Sequence, residues 1–110
     1  MTEVRARYLK GGECSLTLLG HATGSDKVCA AISGLVYSLL GYLANDKRAN
    51  VLYQRVTDGD VCLIWRGRKE ALAAWRMACI GFLQLEEAEP DFIKTDIDEK
   101  IFKNFSEIGA

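Results

Sequence analysis

The chain has 110 residues, 49% of them apolar and 26% charged, with a formal net charge of -1. A chain of that length forms one domain that buries a core without metal or disulfide staples, and this apolar share excludes disorder. The near-neutral balance gives no bulk electrostatic reason to expect nucleic-acid or membrane binding.

Val4, Ala6 and Tyr8 alternate with Arg5, Arg7 and Leu9, the period of a half-buried strand. Lys10-Gly11-Gly12-Glu13 is a turn, and Cys14 to Gly20 returns as the second strand of a hairpin. Leu16 and Leu18 share one face of it; Ser15, Thr17 and Leu19 share the other. Gly20 to Ser25 is too rich in small residues to be regular. Ser25 or Asp26 caps the helix that follows. That helix runs to about Ala44, with Val28, Ile32, Leu35, Leu39 and Leu43 near one stripe.

Val51 to Val56 alternates again as a third strand. Thr57-Asp58-Gly59-Asp60 is a hairpin turn of the Asp-Gly type. Val61 to Trp65 is a fourth strand, apolar on both faces, and is expected to be central or covered on both sides. Arg68 to about Glu87 has helix composition. Leu72, Trp75, Cys79, Phe82 and Leu83 form its stripe, and little polar surface is left between Ala71 and Leu85. A subunit interface, and so a homodimer, is expected there. Pro90 precedes a short extended finish, Asp91 to Lys94. The domain is expected to end at residue 95, with 96–110 a tail or short docking helix. The order ββαββα predicts an α+β domain: a four-stranded antiparallel sheet packed with two helices.

The charged start from Thr2 to Lys10 lacks the apolar core of a secretory leader, and no run of about 18 apolar residues is read as a membrane span. The expectation is therefore a cytoplasmic protein with no membrane partner. Cys14, Cys29, Cys62 and Cys79 contain no CxxC pair, so neither a metal site nor a cofactor is expected. Cys14, Cys62 and Cys79 lie in apolar runs and read as small buried hydrophobes. The Trp65 and Trp75 pair reads as core. Arg66-Gly67-Arg68-Lys69 reads as a solvated helix start.

One stretch combines groups that carry chemistry. His21, the only histidine, stands at the end of the second strand, and Cys29 lies early in the first helix. A histidine can take a thiol proton, and the positive end of a helix favours the thiolate. Backbone N–H groups around Val28 to Ala30 are the expected donors to an oxyanion. Asp26 has a plain alternative as an N-cap, and Ser33 as a hydroxyl bonded one turn back.

Gly20-His21-Ala22, followed by Asp26-x-Val28-Cys29-Ala30-Ala31-Ile32-Ser33, resembles the signature of the ribosomal-processing cysteine protease Prp family. The ββαββα order over roughly residues 4 to 95 and the ending Leu85 to Lys94 resemble that family too. The resemblance implies a homodimeric peptidase that removes an N-terminal extension from the twenty-seventh large-subunit ribosomal protein. It maps the nucleophile onto Cys29, the base onto His21 and polar helpers onto Asp26 and Ser33. It makes Gly20, Ala22, Thr23, Gly24 and Ser25 the substrate loop. The family's loop is usually longer; only seven residues separate His21 from Cys29 here. The alternative is a non-catalytic ribosome- or partner-binding homologue that kept the fold with a shortened loop.

Overall fold

The computed structural model describes residues 1–9 and 11–102. Strands β1 (Thr2–Tyr8) and β2 (Cys14–Leu19) form the first hairpin, and β3 (Asn50–Thr57) and β4 (Asp60–Arg66) the second. Each hairpin is followed by a 20-residue helix, α1 (Asp26–Asn45) and α2 (Lys69–Ala88). A fifth strand, β5 (Ile93–Ile97), and a 3₁₀ turn (Glu99–Phe102) complete the described chain.

The sheet order is β3-β4-β2-β1-β5. The first four strands pair antiparallel, and β5 runs parallel to β1, from Thr2↔Ile93 to Ala6↔Ile97. The expected four-stranded antiparallel sheet is thus corrected to a five-stranded mixed one. The alternation within β1 shows which face is covered: Thr2, Val4 and Ala6 are buried, whereas Glu3 and Arg5 are exposed. Both helices pack on that one face. The α1 stripe that reaches the core is Val28, Ile32, Val36, Leu39 and Leu43. Each such side chain contributes about 1.5–3 kcal/mol through burial. Trp65 and Trp75 meet edge to face at the centre, ring centroids 5.8 Å apart.

The strand β4 takes the first of its two expected forms, a place inside the sheet, and two further expectations change. The strand β4 is covered on one side only: Leu63 and Trp65 are buried, while Cys62 and Ile64 lie half-buried on the open face. The apolar run reflects a central position in the sheet, not a second covering layer. The finish at Asp91–Lys94 extends to Ile97, across the boundary expected at residue 95, and Ile101 beyond it is 1% exposed. Glu86 of α2 holds the strand in place, accepting from the Thr95 amide at 2.7 Å and the Thr95 hydroxyl at 2.6 Å. The rest of the expected tail, 103–110, lies outside the described residues. Finally, α1 is long and apolar enough to cross a membrane by length and composition, where none was read from the sequence; in this fold its apolar stripe faces the sheet.

Candidate functional site

The site forms where β2 ends, α1 begins and the β3–β4 turn folds over both. Gly20 starts it. Its φ of +89° is left-handed, and a Cβ there would stand 2.5 Å from the Met1 carbonyl oxygen, so only glycine fits. Its amide donates to the Gly59 carbonyl at 2.9 Å, tying the loop to the β3–β4 turn.

Ala22 to Ser25 is a tight turn, closed by the Ser25 amide donating to the Ala22 carbonyl at 3.0 Å. Ala22 is buried; Thr23 and Gly24 are exposed at the tip. Ser25 then caps α1. Its backbone is extended and its Oγ accepts from the Val28 amide at 3.2 Å. The Cys29 amide donates to the Ser25 carbonyl at 3.1 Å, the first hydrogen bond of the helix ladder.

With Ser25 as the cap, Cys29 stands at the fourth helical position. It remains in the turn where the peptide dipoles leave a partial positive charge. The oxyanion donors expected around Val28 to Ala30 are, however, already engaged. Val28 bonds the cap, Cys29 bonds Ser25 and Ala30 lies deeper in the ladder. In α1 it is the amides of Asp26 and Lys27 that lack a partner four residues back.

His21, Cys29 and Ser33 all line one cavity of about 410 Å³. Its floor is apolar, with Leu18, Ile32, Val36 and Val61. Its rim is polar and includes Asp58, Asp60 and Tyr37. Cys29 and Ser33 are one turn apart on α1 and so share a face. The half-buried Cys29 thiol donates to the Ala22 carbonyl at 3.6 Å. The half-exposed His21 ring has Nδ1 3.8 Å from an Asp58 carboxylate oxygen and lies against Gly59. His21 and Cys29 share no direct hydrogen bond. Asp26 is exposed on the first turn and is not part of the cavity wall. Asp58, Gly59 and Tyr37 belong to the site although the sequence reading assigned them no part in it. Asp58 and Gly59 looked like ordinary turn residues, and Tyr37 carried only the signal of standing two turns after Cys29.

The other thiols differ from Cys29. Cys14 and Cys79 are fully buried, and burial pushes both up to about 12, so they stay neutral at physiological pH. Cys62, expected to be buried, is half-buried on the open sheet face. Among the described residues no cluster of three or more metal-ligating side chains forms.

The architecture is that of a small α+β domain in which two hairpin-helix units share one sheet and a cysteine opens the first helix above a cavity. It is the fold of the ribosomal processing protease Prp. The crystal structure of Prp from S. aureus with a covalently linked product peptide superposes with a TM-score of 0.77, at 16% identity, over 89% of this chain and 100% of that one. The same protease with a substrate peptide gives a TM-score of 0.71 at 16% identity, over 89% and 100% of the two chains. SMU.848 from Streptococcus mutans gives 0.70 at 27% identity, over 88% and 93%. No family model and no curated protein matches the chain.

Proposed function

We propose that the chain is a cysteine endopeptidase that removes the N-terminal extension of the twenty-seventh large-subunit ribosomal protein in the cytoplasm. The observation that carries this reading is the placement of Cys29, His21 and Ser33 on one cavity, at the start of α1. The fold is shared with a protease crystallised with a peptide covalently linked to it, which supports the reading.

In this reading His21 takes the Cys29 proton once the thiol leaves the Ala22 carbonyl. The thiolate adds to the scissile carbonyl, whose electron pair moves onto oxygen. The dipole of α1, whose Asp26 and Lys27 amides have no partner four residues back, and the Ser33 hydroxyl oppose that negative charge. The C–N bond then breaks, His21 returns its proton to the leaving amine, and water hydrolyses the thioester. Asp26 acts as a first-turn acid of the helix. The substrate loop reduces to Gly20, which sets the chain direction, and to Ala22, Thr23, Gly24 and Ser25, which form the turn above Cys29. The extension lies as an extended peptide over the cavity, beside the exposed edge strand β3.

Intact-mass measurement after incubation with the extended ribosomal protein tests this. Loss of the extension with the wild-type chain is expected. One observation favours a second reading, a non-catalytic partner-binding homologue: His21 and Cys29 are not hydrogen-bonded to each other. Stable binding of the extended protein without any mass change would select it. A purely structural role with Cys29 buried fits less well, because Cys29 lines the cavity.

The proposed enzyme is a homodimer. Met77 and Ile80 of α2 are 68% and 40% exposed, an apolar surface on the helix whose sequence is short of polar positions. Light scattering at micromolar concentration should give twice the 12.2 kDa chain mass. A monodisperse single-chain mass would refute the dimer.

A further inference from the structure

The β3–β4 turn reads locally as a plain Asp-Gly hairpin, yet both of its central residues meet His21. We propose that this turn is the seat of the histidine: Asp58 holds the Nδ1–H tautomer and Gly59 receives the ring face, leaving Nε2 free as the base. The inference rests on the Cys29–His21 reading above and adds two positioning residues to it.

The geometry around Gly59 carries the first half. A Cβ on Gly59 would stand 2.5 Å from His21 Nε2 and 3.1 Å from each of Cδ2 and Cε1. Equal distances to the two carbons place that point on the symmetry plane through Nε2. Their small excess over 2.5 Å places it above the ring, because an atom in line with the Nε2 lone pair would be distinctly farther from both carbons. Gly59 therefore supports the face of the imidazole and leaves its in-plane lone pair unobstructed. Any side chain at Gly59 would push the ring away. The φ of +73° at this position favours glycine for the turn as well.

Asp58 supplies the second half. Its carboxylate oxygen is 3.8 Å from Nδ1, beyond hydrogen-bond distance here; in the proposed seat the exposed carboxylate rotates to accept the Nδ1–H. The other carboxylate of the turn is otherwise committed: Asp60 is held by the Arg55 guanidinium at 3.1 Å. The turn is also fixed relative to the histidine. The Gly59 carbonyl accepts from the Gly20 amide at 2.9 Å, one residue before His21, and the Thr57 hydroxyl donates to the Asp60 carbonyl at 3.0 Å. A neutral imidazole has one N–H and one lone pair, and the bond made by one nitrogen decides the role of the other. An acceptor at Nδ1 places the N–H there and the lone pair on Nε2. Free histidine favours the opposite tautomer. The Asp58 side chain is 98% exposed, so its effect is one of orientation and modest in size.

The single histidine makes the test direct, because one set of imidazole signals reports the site. Long-range proton–nitrogen correlation spectra of the uniformly labelled full chain, taken where the ring is neutral, should show mainly the Nδ1–H tautomer. Asp58→Ala should shift it toward Nε2–H, and Asp58→Asn, whose amide oxygen still accepts, should restore it. On the extended ribosomal protein, Asp58→Ala should lower kcat by about tenfold with KM unchanged, short of the ~10²-fold expected for losing the base outright. Asp58→Asn should recover most of that. An Nε2–H tautomer in the wild type, or a tautomer indifferent to Asp58→Ala, overturns the proposal. The tautomer is read without turnover, so the two readings fail separately. Absent cleavage with an Asp58-dependent tautomer removes the peptidase and leaves the seat. Normal cleavage with an indifferent tautomer does the reverse.

Discussion

Cys29→Ser and His21→Ala should each abolish processing of the extended ribosomal protein while leaving the far-ultraviolet dichroism and thermal transition close to wild type. Serine is nearly isosteric with cysteine and keeps a donor for the Ala22 carbonyl, but its hydroxyl is a far poorer nucleophile beside a neutral imidazole. His21 is half-exposed and rests on a turn, so its removal takes little from the core. Loss of a positioned general base costs at least ~10²-fold in rate. Asp26→Asn is the informative comparison. Asp26 stands on the first turn outside the cavity wall, so its variant should retain a rate near wild type. A fall as deep as that of His21→Ala would mean that Asp26 orients the base, contrary to the arrangement described. Cleavage surviving in His21→Ala would remove the dyad as the engine.

The largest expected loss of stability is at Trp65. It is 0% exposed, in the strand between β3 and β2, and its ring meets Trp75 at 86°. Gly67 is small where a Cβ would come within 2.8 Å of the same ring, so the indole fills its space closely. Trp65→Ala should cost about 3–5 kcal/mol from lost burial and the cavity left behind. The edge-to-face pair adds about 0.5–1.5 kcal/mol. Native domains are stable by about 5–15 kcal/mol, so the variant should be near the limit of folding. Urea unfolding with an unchanged slope and a lowered midpoint is the measurement. A loss under about 1 kcal/mol would show that the sheet and helices meet elsewhere. Trp65→Phe, which keeps an aromatic ring in the contact, should lose markedly less.

The two hairpins and two helices were legible because their signals are local. Alternation in Val4 to Tyr8, paired glycines at 11 and 12, Asp58-Gly59 and the stripe from Val28 to Leu43 each lie within one element. Of β5 only the start was legible, as the extended finish at Asp91 to Lys94. Its continuation to Ile97 and its place in the sheet depend on parallel pairing with the far end of the chain and on the Glu86 carboxylate at Thr95. The choice between Ser25 and Asp26 as cap was also beyond sequence, since both residue types cap and they are adjacent. At the site, His21 and Cys29 flank one short glycine loop, so their meeting at one cavity could be anticipated. The approach of Asp58 and Gly59 could not. Their types are fully explained by the turn they make; the β2–β4 register, which sets Leu19 against Asp60, and the Gly20–Gly59 hydrogen bond bring that turn to the histidine.

The central claim is that Cys29 is the nucleophile of a peptide-binding cavity. A peptide of the extension, ending where the wild-type product mass places the cut and carrying a C-terminal chloromethyl ketone, tests it most directly. One equivalent should add to the wild-type chain, and fragment mapping should place it on Cys29. Cys14 and Cys79, buried neutral thiols pushed up to about 12, should remain unmodified. His21→Ala should slow the addition markedly. An adduct on Cys62, or no adduct while cleavage proceeds at the normal rate, would contradict the account.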